Sequence, residues 1–286
     1  MNTPDPTLAD LRRRLDVIDD RIHEAIMERA FVVESIAALK QSTGQPAFRP
    51  GRVAEILRRL MARHKGPFPR QSMLRIWCEM LGGTVSMQGP FTVAIAVPDT
   101  GPGLKDVARD YFGSLAPMTV LRSGLEVVSA VGDSRATVGV VPMPSDKEAA
   151  AWWPALAGAR GQGLRVIARL PFADFSDGRD PRDVALVIAA APADATDADR
   201  VMLVIETRRE TSRARLIAAL GETGIPFTYV AAHQTGARLC WHLVELDGPF
   251  PAPEARLAPA LRPLGGPAPP VWLLGSYARP LPLDAK

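Results

Sequence analysis

The sequence predicts an all-helical amino-terminal segment followed by two small α/β regions, an α plus α/β fold class, with boundaries expected at 1–90, 91–183 and 184–286. Three observations carry this. Apolar residues between Leu8 and Lys40 recur at three-four spacing, the signature of one long helix. From Phe91 the period changes to short apolar runs of the kind that form buried strands. From Val201 onward strands and helices alternate as βαββαβ, the plan of a ferredoxin-like domain.

The first helix sets the terms for the rest. Leu8, Leu11, Leu15, Ile18, Ile22, Ala25, Ile26, Val32, Val33, Ile36 and Leu39 keep one face apolar, and Pro6-Thr7 offers a cap. Into that stripe fall two cations: Arg29, seven after Ile22, and Lys40, four after Ile36. A buried cation is costly unless something anionic meets it. At 1.5 Å per residue Arg29 and Lys40 project the same way about 16 Å apart, a separation two long side chains can close on a small dianion. Arg12, on the edge of the same stripe, is about 42 Å from Lys40 and reaches the pair only from an antiparallel second copy. The helices that follow are too short to cover so long a stripe. Both points predict a homodimer packed along this helix.

The remaining elements follow in order. Gly44, Pro46, Pro50 and Gly51 make 41–51 a loop; a second helix is expected from Arg52 to His64 and a third from Arg70 to Gln88. Gly82-Gly83 weakens the third by roughly 1 kcal/mol per glycine, and Thr84 and Gln88, four apart, share a face. Strands are expected at Thr92–Val97, Thr119–Leu121, Ala136–Val141 and Leu164–Leu170, with a helix near Leu104–Phe112 and a linker or long loop over 171–183. In the last region, strands are expected at Val184–Ala189, Val201–Glu206, Phe227–Ala232, Leu239–Leu246 and Val271–Leu274, with helices at Ser212–Leu220 and Pro253–Leu261. The Pro- and Ala-rich stretch 250–270 is loop-like.

Composition narrows the function classes. A net charge of +3, scattered rather than clustered, argues against nucleic acid as a partner. Two distant cysteines, Cys78 and Cys240, imply no disulfide framework. The polar amino terminus has no signal core, and no apolar run approaches the ~18 residues of a membrane span, so the expected setting is cytoplasmic, with no membrane partner. His233 and His242 fall on neighbouring strands without a third ligand, so no metal site is expected. Trp152, Trp153 and Trp241 read as core or interface aromatics.

Residues 8–88 resemble the all-helical chorismate mutase family. Its pattern is an early Arg, a central Arg and a late Lys on a long helix, an Arg opening the second helix, and Ser or Thr followed four later by Gln or Glu on the third. Arg12, Arg29, Lys40, Arg52, Thr84 and Gln88 match it. The resemblance implies an intertwined helical dimer, Arg12 supplied by the partner chain, chorismate as substrate, prephenate as product and no cofactor. It further implies that Arg12 and Arg29 hold carboxylates, that Lys40 and Gln88 donate to the ether oxygen, and that Arg52 and Thr84 orient the substrate. Two positions depart: Val53 stands where the family usually has Glu, and Arg49 where an Asp is common, which predicts reduced activity. Glu55 is turned about 200° from position 53 and is a poor substitute.

Residues 91–280 resemble a prephenate dehydratase followed by an ACT regulatory domain, on Gly139-Val140-Val141-Pro142-Met143-Pro144 and Leu274-Gly275-Ser276-Tyr277. The dehydratase Thr-Arg-Phe signature is replaced by Asp183-Val184-Ala185, and the acid and amide expected after Pro142 are missing. The span is too short for both lobes of that fold. The ACT ligand motif is replaced by Ala231-Ala232-His233-Gln234. The expectation is a chorismate mutase serving phenylalanine and tyrosine synthesis, with a non-catalytic carboxy-terminal region. The alternatives are a bifunctional mutase-dehydratase and a non-catalytic regulatory or partner-binding protein.

Overall fold

The computed structural model describes residues 6–97, 103–146, 151–157, 163–175, 184–248, 253–264 and 269–283. Most of the expected 171–183 linker, Asp183 and parts of the 250–270 stretch lie outside them. The chain divides into two compact units, Met1–Ala47 with Thr84–Gly89, and Phe48–Gly83 with Pro90–Lys286.

The first unit is dominated by α1 (Leu8–Thr43). It starts where the sequence places it, because Thr7 accepts from the Asp10 backbone N–H while Asp10 accepts from that of Thr7, a reciprocal capping box. These Thr7 hydrogen bonds hold the Asp10 carboxyl below the usual carboxylate range. Gly44, with φ 66°, ends the helix in the left-handed conformation, and the C-cap N–H reaches the Lys40 carbonyl. Thirty-six residues make a rod of about 54 Å. On it only Val33 and Ala37 are buried, whereas Leu8, Ile22 and Leu39 are 64%, 54% and 67% exposed.

In the second unit α2 (Pro50–Ala62) begins on a proline whose missing N–H costs nothing at that position, and it buries Ala54, Leu57 and Met61. The third helix, α3 (Arg70–Ser86), stops two residues before Gln88, whose backbone N–H turns back to the Val85 carbonyl. Next come β1 (Val93–Ala96), α4 (Gly103–Phe112), β2 (Met118–Leu121), α5 (Gly124–Gly132) and β3 (Val138–Pro142). β1 pairs in parallel with both β2 and β3, a βαβαβ unit. α5 is absent from the sequence-based expectation; Ser123 caps it by accepting from the Glu126 N–H.

β4 (Arg165–Leu170), β5 (Ala173–Phe175) and β6 (Ala185–Ala189) follow, then β7 (Asp199–Arg208), α6 (Arg213–Gly221), β8 (Phe227–Thr235), β9 (Leu239–Asp247), α7 (Pro253–Leu261), β10 (Val271–Ala278) and β11 (Leu281–Leu283). The order β10-β7-β9-β8 is antiparallel throughout, so β7 and β8 run parallel with β9 between them, the split βαβ expected of a ferredoxin-like plan. α6 and α7 close one face over Leu203, Ile205, Leu216, Leu220, Leu257 and Leu261.

One sheet threads both α/β regions, in the order β2-β1-β3-β6-β4-β10-β7-β9-β8, while β5 and β11 form a separate pair. The joint is the parallel contact of β10 with β4 at Gly275 and Val166. Gly275 has φ 154°, and a Cβ there would run into the Val166 backbone, so the close approach requires glycine. A single core, containing Trp152 and Trp153 at 0% exposure, extends from the first region into the second.

Candidate active site

The clearest polar constellation built from the expected residues is in the first unit. Lys40, in the last turn of α1, donates from Nζ to Gln88 Oε1 at 2.8 Å and to the Ala47 carbonyl at 3.0 Å. Gln88 Nε2 donates to the Thr84 carbonyl at 3.0 Å, a bond set by their four-residue spacing. The three expected residues Lys40, Thr84 and Gln88 therefore form one half-buried chain, with Gln88 forty-eight residues from Lys40 in sequence. A carboxamide nitrogen carries two donors, and one of Gln88's is spent on Thr84. The Ala47 and Thr84 carbonyls help hold Lys40 and Gln88 side by side. This presents an ammonium and an amide N–H to one small region.

Arg29 lies on the same helix and is half-buried. Burial pushes its guanidinium below the usual range, and its Nη1 is buried with no hydrogen-bond partner among the described residues. A guanidinium remains protonated even so, and it keeps a donor that could meet an anion. Arg12 is exposed on α1, beyond reach of Lys40 along the same straight helix, as the rise per residue requires. Arg52 belongs to the second unit; it is exposed on the first turn of α2 and pairs with Glu55 at 2.9 Å. So Glu55 answers Arg52, while Val53 is half-buried and offers no acceptor. Arg49, at the N-cap of α2, pairs with Asp194 at 3.0 Å. The Ala47 carbonyl that steadies Lys40 has no sequence signal, since any residue supplies a backbone oxygen.

In the carboxy-terminal region His242 is buried between Tyr229 Oη at 2.8 Å and Thr207 Oγ1 at 2.9 Å. Thr207 donates onward to the Arg208 carbonyl, so it accepts from His242 Nε2, and Nδ1 accepts from Tyr229. Burial lowers the His242 pKa, which suits this neutral tautomer. No group of three or more His, Cys, Asp or Glu gathers for a metal among the described residues. A cavity of about 460 Å³ opens between α5, β8 and β9, lined by Val128, Asp133, Pro154, Leu164, His233 and Trp241. No helix among the described residues is long and apolar enough to cross a membrane.

The helical segment thus sets Lys40 beside Gln88 at the end of the long helix, with the half-buried Arg29 on the same helix. Residues 11–89 match the family model described as chorismate mutase type II. Curated relatives extend the likeness beyond the helices. The bifunctional chorismate mutase/prephenate dehydratase of Pseudomonas aeruginosa is 31% identical over 145 residues, 49% of this chain and 40% of that protein. That of Neisseria gonorrhoeae is 33% identical over 114 residues, 40% of this chain and 31% of that protein. The chain thus spans about two fifths or less of the length of these relatives. Among solved structures, a prephenate dehydratase from Streptococcus mutans superposes with a TM-score of 0.47 at 18% identity, covering 68% of this chain and all of that one. At that level the superposition carries no argument about activity.

Proposed function

We propose that the chain is a chorismate mutase, converting chorismate to prephenate, whose helical region 1–90 works as a homodimer in the cytoplasm while regions 91–183 and 184–286 are not catalytic. The observation that carries this reading is the Lys40 to Gln88 contact of 2.8 Å, which joins two residues of the family pattern across the fold. The rearrangement breaks an ether bond as a carbon–carbon bond forms, with no proton transferred and no covalent adduct. A protein accelerates it by holding the compact conformer and by stabilising negative charge that builds on the ether oxygen. Lys40 Nζ and the second Gln88 amide hydrogen supply that stabilisation. Arg29 holds a carboxylate with its unspent donor, and Arg12 of a second copy holds the other. Arg52 and Thr84 orient the ring.

The exposed apolar stripe of α1 supports the dimer, since Leu8, Leu15, Ile22 and Leu39 are left in water by a single chain. The test is consumption of chorismate by the purified chain and by Lys40→Ala. Loss of one preorganised donor to a developing oxyanion costs about 10²–10³ in kcat. Equal rates in the two proteins would end the reading.

The names of the curated relatives favour a second reading, a bifunctional mutase-dehydratase. Against it stand the missing Thr-Arg-Phe counterpart and the plain Met143-Pro144 after Pro142. Phenylpyruvate formed from prephenate by this chain would establish it.

A further inference from the structure

The carboxy-terminal sheet grips α2 through two arginines that the mutase chemistry does not use. Arg58, one of these, sends Nη1 to Thr196 Oγ1 at 2.9 Å and Nη2 to the carbonyls of Ala198 and Arg279, each at 2.8 Å. Its guanidinium also lies 5.8 Å over the Phe172 ring. The carbonyls come from the turn entering β7 and from the segment after β10, so one side chain ties α2 to two neighbouring strands of the sheet. The 194–199 turn is itself braced, because Asp199 accepts from the Thr196 N–H at 2.7 Å and from its hydroxyl. Burial pushes the Arg58 pKa down and the nearby Asp199 and Asp197 push it up, as for a cation seated in an acidic, partly enclosed socket.

The second arginine is Arg49. Its Nε and Nη2 both lie 3.0 Å from Asp194 Oδ1, at the N-cap of α2, three residues before Arg52. Gly51 completes the contact, since a Cβ there would overlap the Asp194 side chain. Arg49 lacks a side-chain cap bond of its own, so the first turn of α2 is fixed from outside, by Asp194, 145 positions from Arg49. Arg52 sits on that turn, exposed, and pairs with Glu55.

We infer that the carboxy-terminal region serves α2 as a docking frame: Asp194, Thr196 and the Ala198 and Arg279 carbonyls clamp Arg49 and Arg58, and the clamp fixes the first turn of α2 and so the direction of Arg52. Arg49 and Arg58 are positioning residues acting through Arg52. The inference rests on the reading of Arg52 as a residue that orients the substrate. It gives a use to a region whose catalytic motifs are missing.

Two measurements on the full-length chain test it, on Arg58→Met, Arg49→Asp, Asp194→Arg and the double variant Arg49→Asp/Asp194→Arg. In steady-state turnover of chorismate, a mispositioned orienting residue is expected to raise KM about tenfold with kcat within twofold, and the charge swap is expected to recover most of the loss. In native-state hydrogen exchange, amides in the first two turns of α2 are expected to exchange faster in the single variants and to return toward wild type in the swap. The exchange result stands even if the wild type proves inactive, which would end the mutase reading while leaving the clamp to be judged by exchange alone. Unchanged α2 protection in both Arg58→Met and Asp194→Arg would overturn the clamp. Faster exchange in α2 with an unchanged KM in an active enzyme would overturn its action on Arg52. An equal fall in kcat and thermal stability without a change in KM would reduce it to a purely structural contact.

Discussion

The long helix and the nine-stranded sheet solve the burial problem in opposite ways. In the sheet Leu186, Val187, Ile188, Met202, Leu203 and Val204 are all at 0% exposure, and a single chain satisfies its own core. On α1 the apolar residues are as regular, yet Leu15 remains 58% exposed and Phe31 69%. Apolar area costs about 25 cal/mol per Å² when left in water, so a rod with twelve large apolar residues uncovered carries a penalty that burial against a second surface would remove. The difference teaches that the sheet region closes its own core within one chain, whereas the helix leaves an apolar stripe uncovered, the face that the proposed homodimer would bury. The candidate chemistry lies on the incomplete element, where a second copy can add a cation.

The contrast can be broken most severely at the sheet. Gly275→Val forces a Cβ into the Val166 backbone at the joint of β4 and β10, and a cost above about 4 kcal/mol is expected, read as loss of the cooperative thermal transition. On the helix the reverse is expected. Ile22→Asp places a charge in the stripe, and light scattering should report a monomer with chorismate turnover lost, while the sheet's near-ultraviolet signature from Trp152 and Trp153 persists. If that variant kept both its size and its activity, the stripe would not be an interface.

A smaller effect separates the regions by pH. Burial raises the Cys78 thiol from 9.0 to about 12, helped by the nearby Asp110 and Glu79. The unfolded chain gives up this proton near pH 9 while the folded chain keeps it, so the Cys78 contribution to stability is constant below pH 9 and falls as pH rises from 9 toward 12. Chemical denaturation across that window should show the slope, and Cys78→Ala should flatten it. Tyr111, whose hydroxyl is also raised by burial and by Cys78, reinforces the trend. The smallest effect is expected at Glu55→Gln. An exposed pair with Arg52 contributes less than about 1 kcal/mol, so unfolding should barely shift. A large destabilisation there would contradict the view that Arg52 is held mainly through the backbone of α2.

The sequence made some of this legible and hid the rest for identifiable reasons. α1 was readable from its cap to its cations because one periodicity persists for ten turns and Thr7 and Asp10 are three apart. The ferredoxin-like order was readable because each strand is a compact apolar run between polar turns. α5 was not: Gly124–Gly132 is apolar on nearly every side, and such a run carries no helical stripe to detect. The joining of two regions into one sheet was hidden because β4 and β10 are far apart in sequence and meet in register at one residue pair. Within the candidate site, Lys40 stood out as a cation on the apolar stripe, while Gln88 and Thr84 were singled out by the family resemblance; the bond between them uses the Thr84 backbone carbonyl, which no side-chain type signals. The Arg58 socket was not, since two of its three acceptors are backbone oxygens and all lie well over a hundred residues away.

The sharpest test is complementation between two crippled copies. Lys40→Ala and Arg12→Ala, each with turnover strongly reduced alone, are mixed, co-refolded and assayed for loss of chorismate. If each site draws Lys40 from one chain and Arg12 from the other, half of the dimers formed carry one intact site, and about a quarter of wild-type activity should return. A mixture as inactive as its components, in dimers shown by mass to contain both chains, would contradict a site shared between two helices.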